Sequence, residues 1–327
     1  MHETSLFRRQ FSHFRHVLSM SSSVLLVAHA RPDPDAVGSV VALASYLGDN
    51  YNLDVTIGCT HPLPPSLSPL FPGFSFSILD SGRIDFSTFD LAVGCDSVDR
   101  GFDTVLPLLD DACVIAVFDH HHDITLSADI RMIDDSFAST TELLYHFFLF
   151  DHGTISRETA TALLTGIIGD TGIYQYSNTS PRTLAVSAEL TRLGASTTHI
   201  VNSAFVNQKI ETLNLWGSAL ENATYIQGSG IVVTALTTED LAGRTPTSEE
   251  IKHIATILTN APHVKATLFL FQATPEHIKA SLRAKPGEGI DVSAIARTIG
   301  GGGHPLASGF EIAGKLISLS SGGWAVE

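Results

Sequence analysis

The chain has 327 residues, of which 44% are hydrophobic and 16% are charged. That length and composition suffice for a large core and favour two domains over one. A net charge of −15 and a pI near 5.3 exclude a surface that holds long duplex DNA non-specifically, because counterion release requires basic residues. A small phosphorylated ligand remains compatible with this charge.

The cysteines and the apolar segments indicate a cellular compartment. The three cysteines, Cys59, Cys95 and Cys113, form no Cys-x-x-Cys pair, which fits neither a disulfide framework nor a zinc knuckle. The N-terminus lacks the pattern of a secretory signal, and no stretch approaches the ~20 apolar residues of a membrane helix. The sequence therefore predicts a soluble, cytoplasmic protein.

The first part of the chain alternates apolar runs with helical patterns. Aromatic residues and a leucine at helical spacing predict a packing helix within residues 1–20. Continuous apolar runs, typical of buried parallel strands, occupy residues 24–28, 55–58, 91–95 and 114–118. Helices are predicted over residues 40–47, 143–149, 157–168 and 181–194. This alternation predicts an α/β domain with a mainly parallel sheet over residues 1–194.

The pattern changes in the last third of the chain. Residues 195–222 are mostly helical and polar on one side, and we interpret them as a link between domains. Strands are predicted over residues 225–226, 231–236, 264–271, 277–283 and 306–312, and helices over 247–258 and 291–299. Residues 223–327 are thus predicted to form a smaller α/β domain with a mixed sheet, whose last strand is 306–312.

Ligand-type side chains follow several of these strands and helices. The candidate metal ligands are His29, Asp33, Asp35, Asp96, His120 and Asp170. Pro32 and Pro34 stiffen the loop that carries the first aspartates, and the next helix is predicted to open at Gly38. In open α/β sheets the carboxyl edge of the strands is where ligands bind, so these side chains are expected to converge.

The charge of this set favours two metal ions. Four neighbouring aspartates repel one another, and two divalent cations would balance them. Two such ions a few ångströms apart can activate a water and clamp a phosphoryl group for in-line displacement. Taken singly, each residue also fits a blander interpretation, as a turn, a helix cap or part of a solvated loop.

Four consecutive glycines, 300–303, precede His304 in the second domain. Gly300 can end a helix in the left-handed conformation, and the other glycines can form a loop. Glycines also expose backbone N–H groups and let an anion approach closely, and His304 and Arg283 can add charge-assisted donors. The segment therefore predicts a site for a phosphate or carboxylate.

Taken in order, these motifs resemble the DHH phosphoesterase family. Within it they resemble the NrnA-like branch, bacterial oligoribonucleases that also act on 3′-phosphoadenosine 5′-phosphate. The matching segments are His29 to Ser39, Asp96, the Asp-His-His run 119–121, Ser139 to Glu142, and Asp170-Thr171-Gly172. Ser281 to Arg283 and Gly301 to His304 are similar to motifs of the DHH-associated domain.

The resemblance implies a hydrolase with two divalent metal ions, usually Mn²⁺. His29, Asp33 and Asp96 would hold one ion; Asp35, Asp96, His120 and Asp170 would hold the other, with Asp96 bridging. His121 would contact the scissile phosphate, and Asp119 would orient a histidine. Asp96, His121 and Asp119 are the implied catalytic residues.

The resemblance also implies a substrate and where it binds. The substrates would be short RNA or DNA oligonucleotides and small 3′,5′-nucleotides. Their terminal phosphate or base would be held by Arg283, Gly301, Gly302, Gly303 and His304, in a cleft between the domains. The resemblance leaves a homodimer open.

Two features depart from the family pattern, and several rivals stay open. His122 and Asp123 extend the Asp-His-His run, and residues 315–327 lack an amphipathic closing helix. The rivals are a phosphodiesterase for linear or cyclic dinucleotides, a RecJ-like single-strand exonuclease, an inorganic pyrophosphatase and a catalytically silent nucleotide-binding module. The acidic charge argues against a processive DNA enzyme, and the complete ligand set argues against a silent module.

Overall fold

A computed structural model describes residues 7–79, 82–96, 101–121, 125–206, 209–319 and 323–327. The chain divides into two compact units, Met1–Asn207 and Gln208–Glu327. The helical segment predicted as a link is shared between them, since its first helix belongs to the first unit and its last helix to the second. Within the described residues, no helix is both long and apolar enough to cross a membrane.

The first unit is built on a six-stranded parallel sheet with the strand order β3-β2-β1-β4-β5-β6. Its strands are β1 Ser23–Ala28, β2 Asp54–Cys59, β3 Ser77–Ile78, β4 Leu91–Cys95, β5 Val114–Asp119 and β6 Ile130–Ile133. Its helices are α1 Arg8–Met20, α2 Pro34–Asn50, α3 Asp103–Val105, α4 Thr140–Asp151, α5 Arg157–Asp170, α6 Pro181–Arg192 and α7 Thr197–Val201. The predicted parallel α/β domain is confirmed.

The second unit has a mixed six-stranded sheet with the order β11-β12-β10-β9-β8-β7, in which only β8 and β9 run parallel. Its helices are α8 Ile210–Glu221, α9 Thr238–Leu241, α10 Ser248–Thr259 and α11 Val292–Thr298. Its strands are β7 Thr224–Ile226, β8 Ile231–Leu236, β9 Ala266–Thr274, β10 His277–Ala284, β11 Gly302–His304, β12 Ala307–Ala313, β13 Leu316–Ser318 and β14 Trp324–Val326.

Glycines let two helices of the first unit come close to each other. A Cβ on Gly38 of α2 would lie 2.5 Å from the Ala162 carbonyl oxygen of α5. A Cβ on Gly166 of α5 would lie 2.5 Å from Asp35 Oδ1, and one on Gly169 would lie 2.6 Å from Pro34 Cβ. Only glycine allows this approach, which carries the start of α2 to the end of α5.

The start of α2 differs from the prediction. The sequence indicated a stiffened loop up to Gly38, but the helix begins at Pro34, with Asp33 as its N-cap. Asp33 Oδ1 accepts hydrogen bonds from the N–H groups of Asp35 and Ala36, at 3.0 and 3.1 Å. A proline at the first helical position loses no hydrogen bond, so Pro34 starts the helix instead of delaying it.

The end of the chain also differs from the prediction. Two further strands, β13 and β14, follow the strand predicted to be the last, and they pair antiparallel with each other. The buried Gln272 of β9 fixes the entry to this pair. Its Oε1 accepts from Leu316 N at 2.7 Å and its Nε2 donates to Gly314 O at 3.0 Å.

Candidate metal centre

The strand order of the first sheet places three of the predicted ligand segments side by side. β4 lies between β1 and β5, and all three run parallel. His29 follows β1, Asp96 follows β4, and Asp119 ends β5 with His120 directly after it. Their common carboxyl edge therefore collects imidazole and carboxylate groups.

His29 is buried, and its tautomer follows from one hydrogen bond. Its Nδ1 lies 2.7 Å from the Ala30 carbonyl oxygen, which can only accept, so Nδ1 carries the proton. Nε2 then presents a lone pair, and this buried atom has no hydrogen-bond partner. Asp33 Oδ2 and Asp96 Oδ2 lie 3.4 and 3.6 Å from it. An imidazole lone pair beside two carboxylates suits a divalent cation.

Asp35 is fully buried and is held by the N-terminus of α4. Its Oδ2 accepts from Thr140 N at 2.7 Å, and its Oδ1 accepts from Thr141 N and Thr141 Oγ1 at 3.0 and 2.7 Å. These donors, at the positive end of the helix dipole, fix the orientation of the carboxylate. Oδ2 also faces His120 Nε2, at 3.9 Å.

Asp96 faces histidines with both of its oxygens. It is buried, and its φ of +54° lies in the left-handed region, which Asp tolerates better than most side chains. Oδ2 lies 3.6 Å from His29 Nε2, whereas Oδ1 lies 3.8 Å from His120 Nε2 and 3.3 Å from His121 Nδ1. The carboxylate is thus oriented to serve a ligand on each side.

His120 and Asp170 meet at the far side of the cluster. Asp170 is the last residue of α5, and its Oδ2 lies 2.9 Å from His120 Nε2. The two atoms are close enough for a hydrogen bond but are not aligned for one, since the buried Nε2 of His120 has no partner that meets hydrogen-bond geometry. Short contact without alignment is what shared coordination of a third atom would produce.

His121 and Asp119 form a separate pair at the rim. Asp119 Oδ1 accepts from the backbone N–H of His121 at 3.0 Å and lies 2.8 Å from its Nδ1. The carboxylate is buried, whereas the imidazole is 47% exposed. Nδ1 is therefore oriented inward and the outer edge of the ring faces solvent. His122 and Asp123, which extend the predicted run, lie outside the described residues.

The pKa values of Asp35, Asp96, His120 and His121 shift toward more positive charge. The pKa of Asp119 shifts the other way: burial alone would raise it, but the hydrogen bonds of Asp119 to His121 outweigh burial and lower it. Burial raises the pKa of Asp96 to about 6, and burial with the charges of Asp170 and Asp96 raises the pKa of Asp35 well above its usual value. Burial lowers the pKa of His120, but its carboxylate neighbours outweigh burial and raise it to about 9. Hydrogen bonds to Asp119 and Asp96 raise the pKa of His121 to about 10.

The donor set fits divalent cations. Ligand atoms lie within 4.8 Å of one another in the sets His29/Asp33/Asp96, Asp35/His120/Asp170 and Asp96/His120/His121. Each of the three sets contains a buried imidazole nitrogen, of His29 or His120, that lacks a hydrogen-bond partner. The cluster has a surplus of negative charge that bound cations would neutralise without any proton uptake. All six predicted ligands lie in these sets.

A cavity of about 690 Å³ lies in the second unit, beside β10 and β12. Its lining includes Lys279, Ser281 and Arg283, which share one face of β10, together with Gly301 and Gly302. Arg283 Nη1 donates to the carbonyl oxygen of Leu282 at 2.8 Å, and burial lowers the pKa of Arg283. A half-buried guanidinium at the wall of a cavity suits an anionic ligand.

The four glycines do not form the simple loop that the sequence left open as an alternative to an anion site. Residues 302–304 form the edge strand β11, paired with β12. The N–H groups of Gly300 and Gly301 donate to Arg297 O and Ala296 O at the end of α11, so neither is left for an anion. Gly300 has a φ of +81°, as expected for a residue that ends a helix.

The remaining glycines differ in their surroundings. A Cβ on Gly301 would meet the Gly309 carbonyl oxygen, and one on Gly303 would lie 2.6 Å from the Ala307 carbonyl oxygen. A Cβ on Gly302 would meet nothing within 4 Å. Gly303 and the exposed His304 are not among the residues that line the cavity.

Sequence reasoning did not assign a functional part to Thr140 and Thr141. Ser139 was predicted to cap α4 together with Glu142, and its Oγ does accept from Glu142 N at 3.1 Å. The Glu142 side chain bonds Ala138 N instead of closing a full capping box. The predicted cap implied that the N–H groups of Thr140 and Thr141 have no partner within the helix. Which carboxylate accepts hydrogen bonds from them depends on tertiary packing, so the sequence could not identify Asp35.

Comparison with protein families identifies the class. Residues 23–167 match the DHH family N-terminal domain, and residues 228–319 match the DHHA1 domain. The chain therefore contains a DHH domain and a DHHA1 domain, and the resemblance inferred from its motifs is confirmed.

Particular relatives cover nearly the whole chain. It is 28% identical to the bifunctional oligoribonuclease and PAP phosphatase NrnA of Bacillus subtilis, over 90% of this chain and 91% of that protein. An exopolyphosphatase-related protein of Bacteroides fragilis superposes with a TM-score of 0.83 at 22% identity, over 93% and 91% of the two chains. RecJ of Thermus thermophilus in complex with Mn²⁺ gives a TM-score of 0.52 at 13% identity, over 93% and 51%.

Proposed function

We propose that this protein is a two-metal phosphoesterase that hydrolyses short oligonucleotides and 3′-phosphoadenosine 5′-phosphate. The observation that carries the proposal is the pair of buried, unpartnered Nε2 atoms of His29 and His120, on opposite sides of Asp96. In a purely structural role, both buried Nε2 atoms would lie close to carboxylates and still lack an aligned hydrogen bond, and an incompletely satisfied buried polar atom is costly. A metal on each nitrogen removes that cost.

We assign each ligand to one of two ions. His29, Asp33 and Asp96 hold the first, and Asp35, Asp96, His120 and Asp170 hold the second, with one oxygen of Asp96 directed to each. When bound, the ions supply a water of lowered pKa and neutralise charge on the phosphoryl group. Mn²⁺ is the proposed metal; the donors are nitrogen and oxygen, and the similar fold of RecJ was solved with Mn²⁺.

His121 is proposed to contact the scissile phosphate. Its inner nitrogen is engaged by Asp119, so the outer nitrogen is presented to solvent in a fixed orientation. Asp119 thereby acts as the residue that orients His121. From this position an imidazolium N–H can donate to a phosphoryl oxygen whose negative charge grows as the ester bond breaks.

Arg283 is proposed to hold a second phosphate or a base of the same substrate. Its guanidinium lies at a cavity large enough for a nucleotide, and it can pair with phosphate or stack on a base. Gly301 and Gly302 form part of the same wall, and we keep Gly303 and His304 as proposed contacts. The substrate class follows the NrnA relatives, whose names state oligoribonuclease and PAP phosphatase activity.

A substrate panel tests the proposal. The purified protein is stripped with a chelator, reconstituted with Mn²⁺, Mg²⁺ or Co²⁺, and its kcat/KM is measured on each substrate. The panel contains a dinucleotide, a five-mer, 3′-phosphoadenosine 5′-phosphate, a cyclic dinucleotide, pyrophosphate and a long single strand. We expect the first three to be favoured, with Mn²⁺ required.

Each other outcome has a defined meaning. Preference for the cyclic dinucleotide, pyrophosphate or the long strand replaces the proposed substrate by the corresponding rival. Binding of nucleotide without turnover under any metal identifies a silent module and contradicts the proposal. Size-exclusion chromatography of the same sample tests the homodimer, which stays a prediction, as does the cytoplasmic location.

A further inference from the structure

The chain leaves α5 through a turn with an unusual backbone. Gly172, Ile173 and Tyr174 have φ values of +55°, +58° and +63° in succession. The left-handed region is unfavourable for a β-branched residue such as Ile173, and strain of this kind persists only where the surroundings impose it. The turn begins two residues after Asp170, a proposed metal ligand.

Thr171 and Tyr176 hold this turn in place. Thr171 O accepts from Gln175 N and Tyr176 N at 2.9 and 3.0 Å, and Thr171 Oγ1 accepts from Tyr174 N at 3.1 Å. The ring of Tyr176 covers Gly172, where a Cβ would lie 2.5 Å from the ring. The turn is therefore closed by contacts of its own and directs the chain back toward the end of α5.

Asn178 links the two parts of the proposed metal site. Its Nδ2 donates to Asp170 O and to Ala138 O, both at 3.1 Å. An amide nitrogen carries two hydrogens, so both bonds form together. Ala138 immediately precedes Ser139, the N-cap of α4, and the first N–H groups of that helix hold Asp35. One side chain thus ties the backbone of Asp170 to the turn that orients Asp35.

The other side of that turn is fixed independently. Glu142 Oε2 accepts from Ala138 N at 2.8 Å, and Glu142 Oε1 accepts from Arg182 Nε at 2.8 Å. Arg182 Nη2 also donates to Ser136 O. With residues 136–138 fixed in this way, the bond from Asn178 to Ala138 gives Asp170 a firm anchor.

We propose that residues 171–178 form a brace and that Asn178 is a positioning residue for the second metal. The inference rests on the proposed metal site and concerns the ion assigned to Asp35, His120 and Asp170. Asn178 does not touch that ion; it keeps the Asp170 carboxylate at the right distance from Asp35. The first ion, assigned to His29, Asp33 and Asp96, does not depend on this link.

Asn178→Ala and a matched control test the proposal. In the control, Asn50→Ala, the lost Nδ2 also donates to two backbone carbonyls, those of Tyr46 and Thr154. Asn50 ends α2, 15 residues after Asp35 and thus about 22 Å away along the helix. Mn²⁺ binding to the full chain is titrated by calorimetry and by the electron paramagnetic resonance signal of free Mn²⁺, and thermal unfolding is recorded without metal.

We expect Asn178→Ala to lower the affinity for one of the two Mn²⁺ ions by about tenfold, as is usual for residues that support metal ligands. The other ion should keep its affinity. The metal-free melting temperature should be no lower than that of Asn50→Ala, which also loses the hydrogen bond that Asn50 Oδ1 accepts from Thr154 N. Parent-like affinity at both sites would overturn the proposal. Equal weakening of both sites together with a lower melting temperature would also overturn it, since Asn178 would then support the fold in general.

A second variant covers the case in which Asn178→Ala does not fold. Asn178→Ser keeps a donor that can retain one hydrogen bond, so it should lower the affinity for the same ion to a smaller extent. Unchanged Mn²⁺ binding in this variant would overturn the proposal that residues 171–178 form a brace. The metal count of the parent protein tests the two-metal site separately, so failure of the brace and failure of the proposed function are distinguishable.

Discussion

The acidic cluster of the first unit and the cavity of the second unit present their charged groups in opposite ways. In the cluster, Asp35 receives three hydrogen bonds from α4, and Asp96 is buried between histidines on both sides. In the cavity, Arg283 donates only to the carbonyl oxygen of its neighbour Leu282 in the described structure. The cluster is a preorganised site whose geometry is imposed by strands and helix ends. The cavity offers two cations of one strand: Arg283, and Lys279, which pairs with Glu311 at 2.9 Å.

The difference teaches where loss of a side chain should be felt. A preorganised cluster transmits any change to the metal ions and hence to the chemical step. Cations beside an open cavity contribute to binding and do not contact the reacting atoms. Substitutions in the first unit should therefore lower kcat or metal affinity, and those in the second unit should raise KM.

Asp96→Asn should produce the largest effect. Asn keeps the shape of Asp96 and tolerates its left-handed backbone, but it removes the charge proposed to lie between two cations. We expect kcat to fall more than about a hundredfold, beyond the range typical of residues that merely support a ligand. Elemental analysis should show fewer than two bound ions. The control is Asp90→Asn, at the opposite end of the same strand, where the carboxylate bonds Ser22 N and Ser23 N. Near-parent turnover with both ions retained would contradict the assignment of Asp96.

Arg283→Ala should have the next largest effect and should act on KM. Loss of a charge-assisted contact of about 1.5–3 kcal/mol corresponds to about a 10- to 100-fold increase in KM for a dinucleotide. A minimal artificial phosphodiester with no second phosphate should be hydrolysed at the parent rate. The matched control is Arg297→Ala, an arginine of the same unit whose side chain is 62% exposed. Equal loss on both substrates would mean that Arg283 supports the fold or the catalytic centre, and the comparison between the two regions would fail.

Thr141→Val tests how far the cluster depends on its helix N-terminus. Valine has the shape of threonine but cannot donate, so Asp35 loses the bond from Oγ1 and keeps those from the backbone. We expect Mn²⁺ affinity to fall by about tenfold, with kcat at saturating Mn²⁺ nearly unchanged. Thr159→Val is the control, since its Oγ1 donates from α5 to Ser45 Oγ of α2, the helix that also carries Asp35. Identical metal affinity in both variants would show that the backbone donors alone orient Asp35.

What the sequence could predict differs between the two regions in the same way. The apolar runs that are followed by His29, Asp96 and His120 predicted the strands. They also predicted the edge of the sheet where the ligands meet, because the carboxyl ends of parallel strands lie at the same edge. The hydrogen bonds of Asp35 were not predictable, since they require α2, α4 and α5 to approach through glycines far apart in the chain. The pattern of charges alone also could not specify which ligands share an ion.

In the second unit, the longer elements followed from local patterns, but the short elements α9, β11, β13 and β14 and the uses of single groups did not. The helix before Gly300 was predicted correctly, whereas the capture of two glycine N–H groups by its last carbonyls depends on backbone geometry. β13 begins at Leu316, whose N–H donates to Gln272 Oε1, 44 residues earlier in the chain. Short strands fixed by such distant partners carry no sequence signal of their own.

Gly301→Ala and Gly302→Ala form the subtlest test, because they separate the structural and binding uses of the glycine segment. A methyl group on Gly301 meets the Gly309 carbonyl oxygen and the Phe310 Cβ, at 2.5 Å from the latter, so we expect a loss of about 1–3 kcal/mol in stability. A methyl group on Gly302 meets nothing within 4 Å, and its effect on stability should stay below about 0.5 kcal/mol.

Both tryptophans, Trp216 and Trp324, lie in the second unit, so their fluorescence during urea unfolding reports the stability of that unit directly. Because Gly302 lines the cavity, Gly302→Ala should raise KM for a dinucleotide a few-fold and leave the artificial phosphodiester unaffected. If Gly302→Ala leaves KM unchanged, Gly302 serves only the pairing of β11 with β12. In that case Arg283 would bind the substrate in this unit, and the backbone of the glycines would only form part of the cavity wall around Arg283.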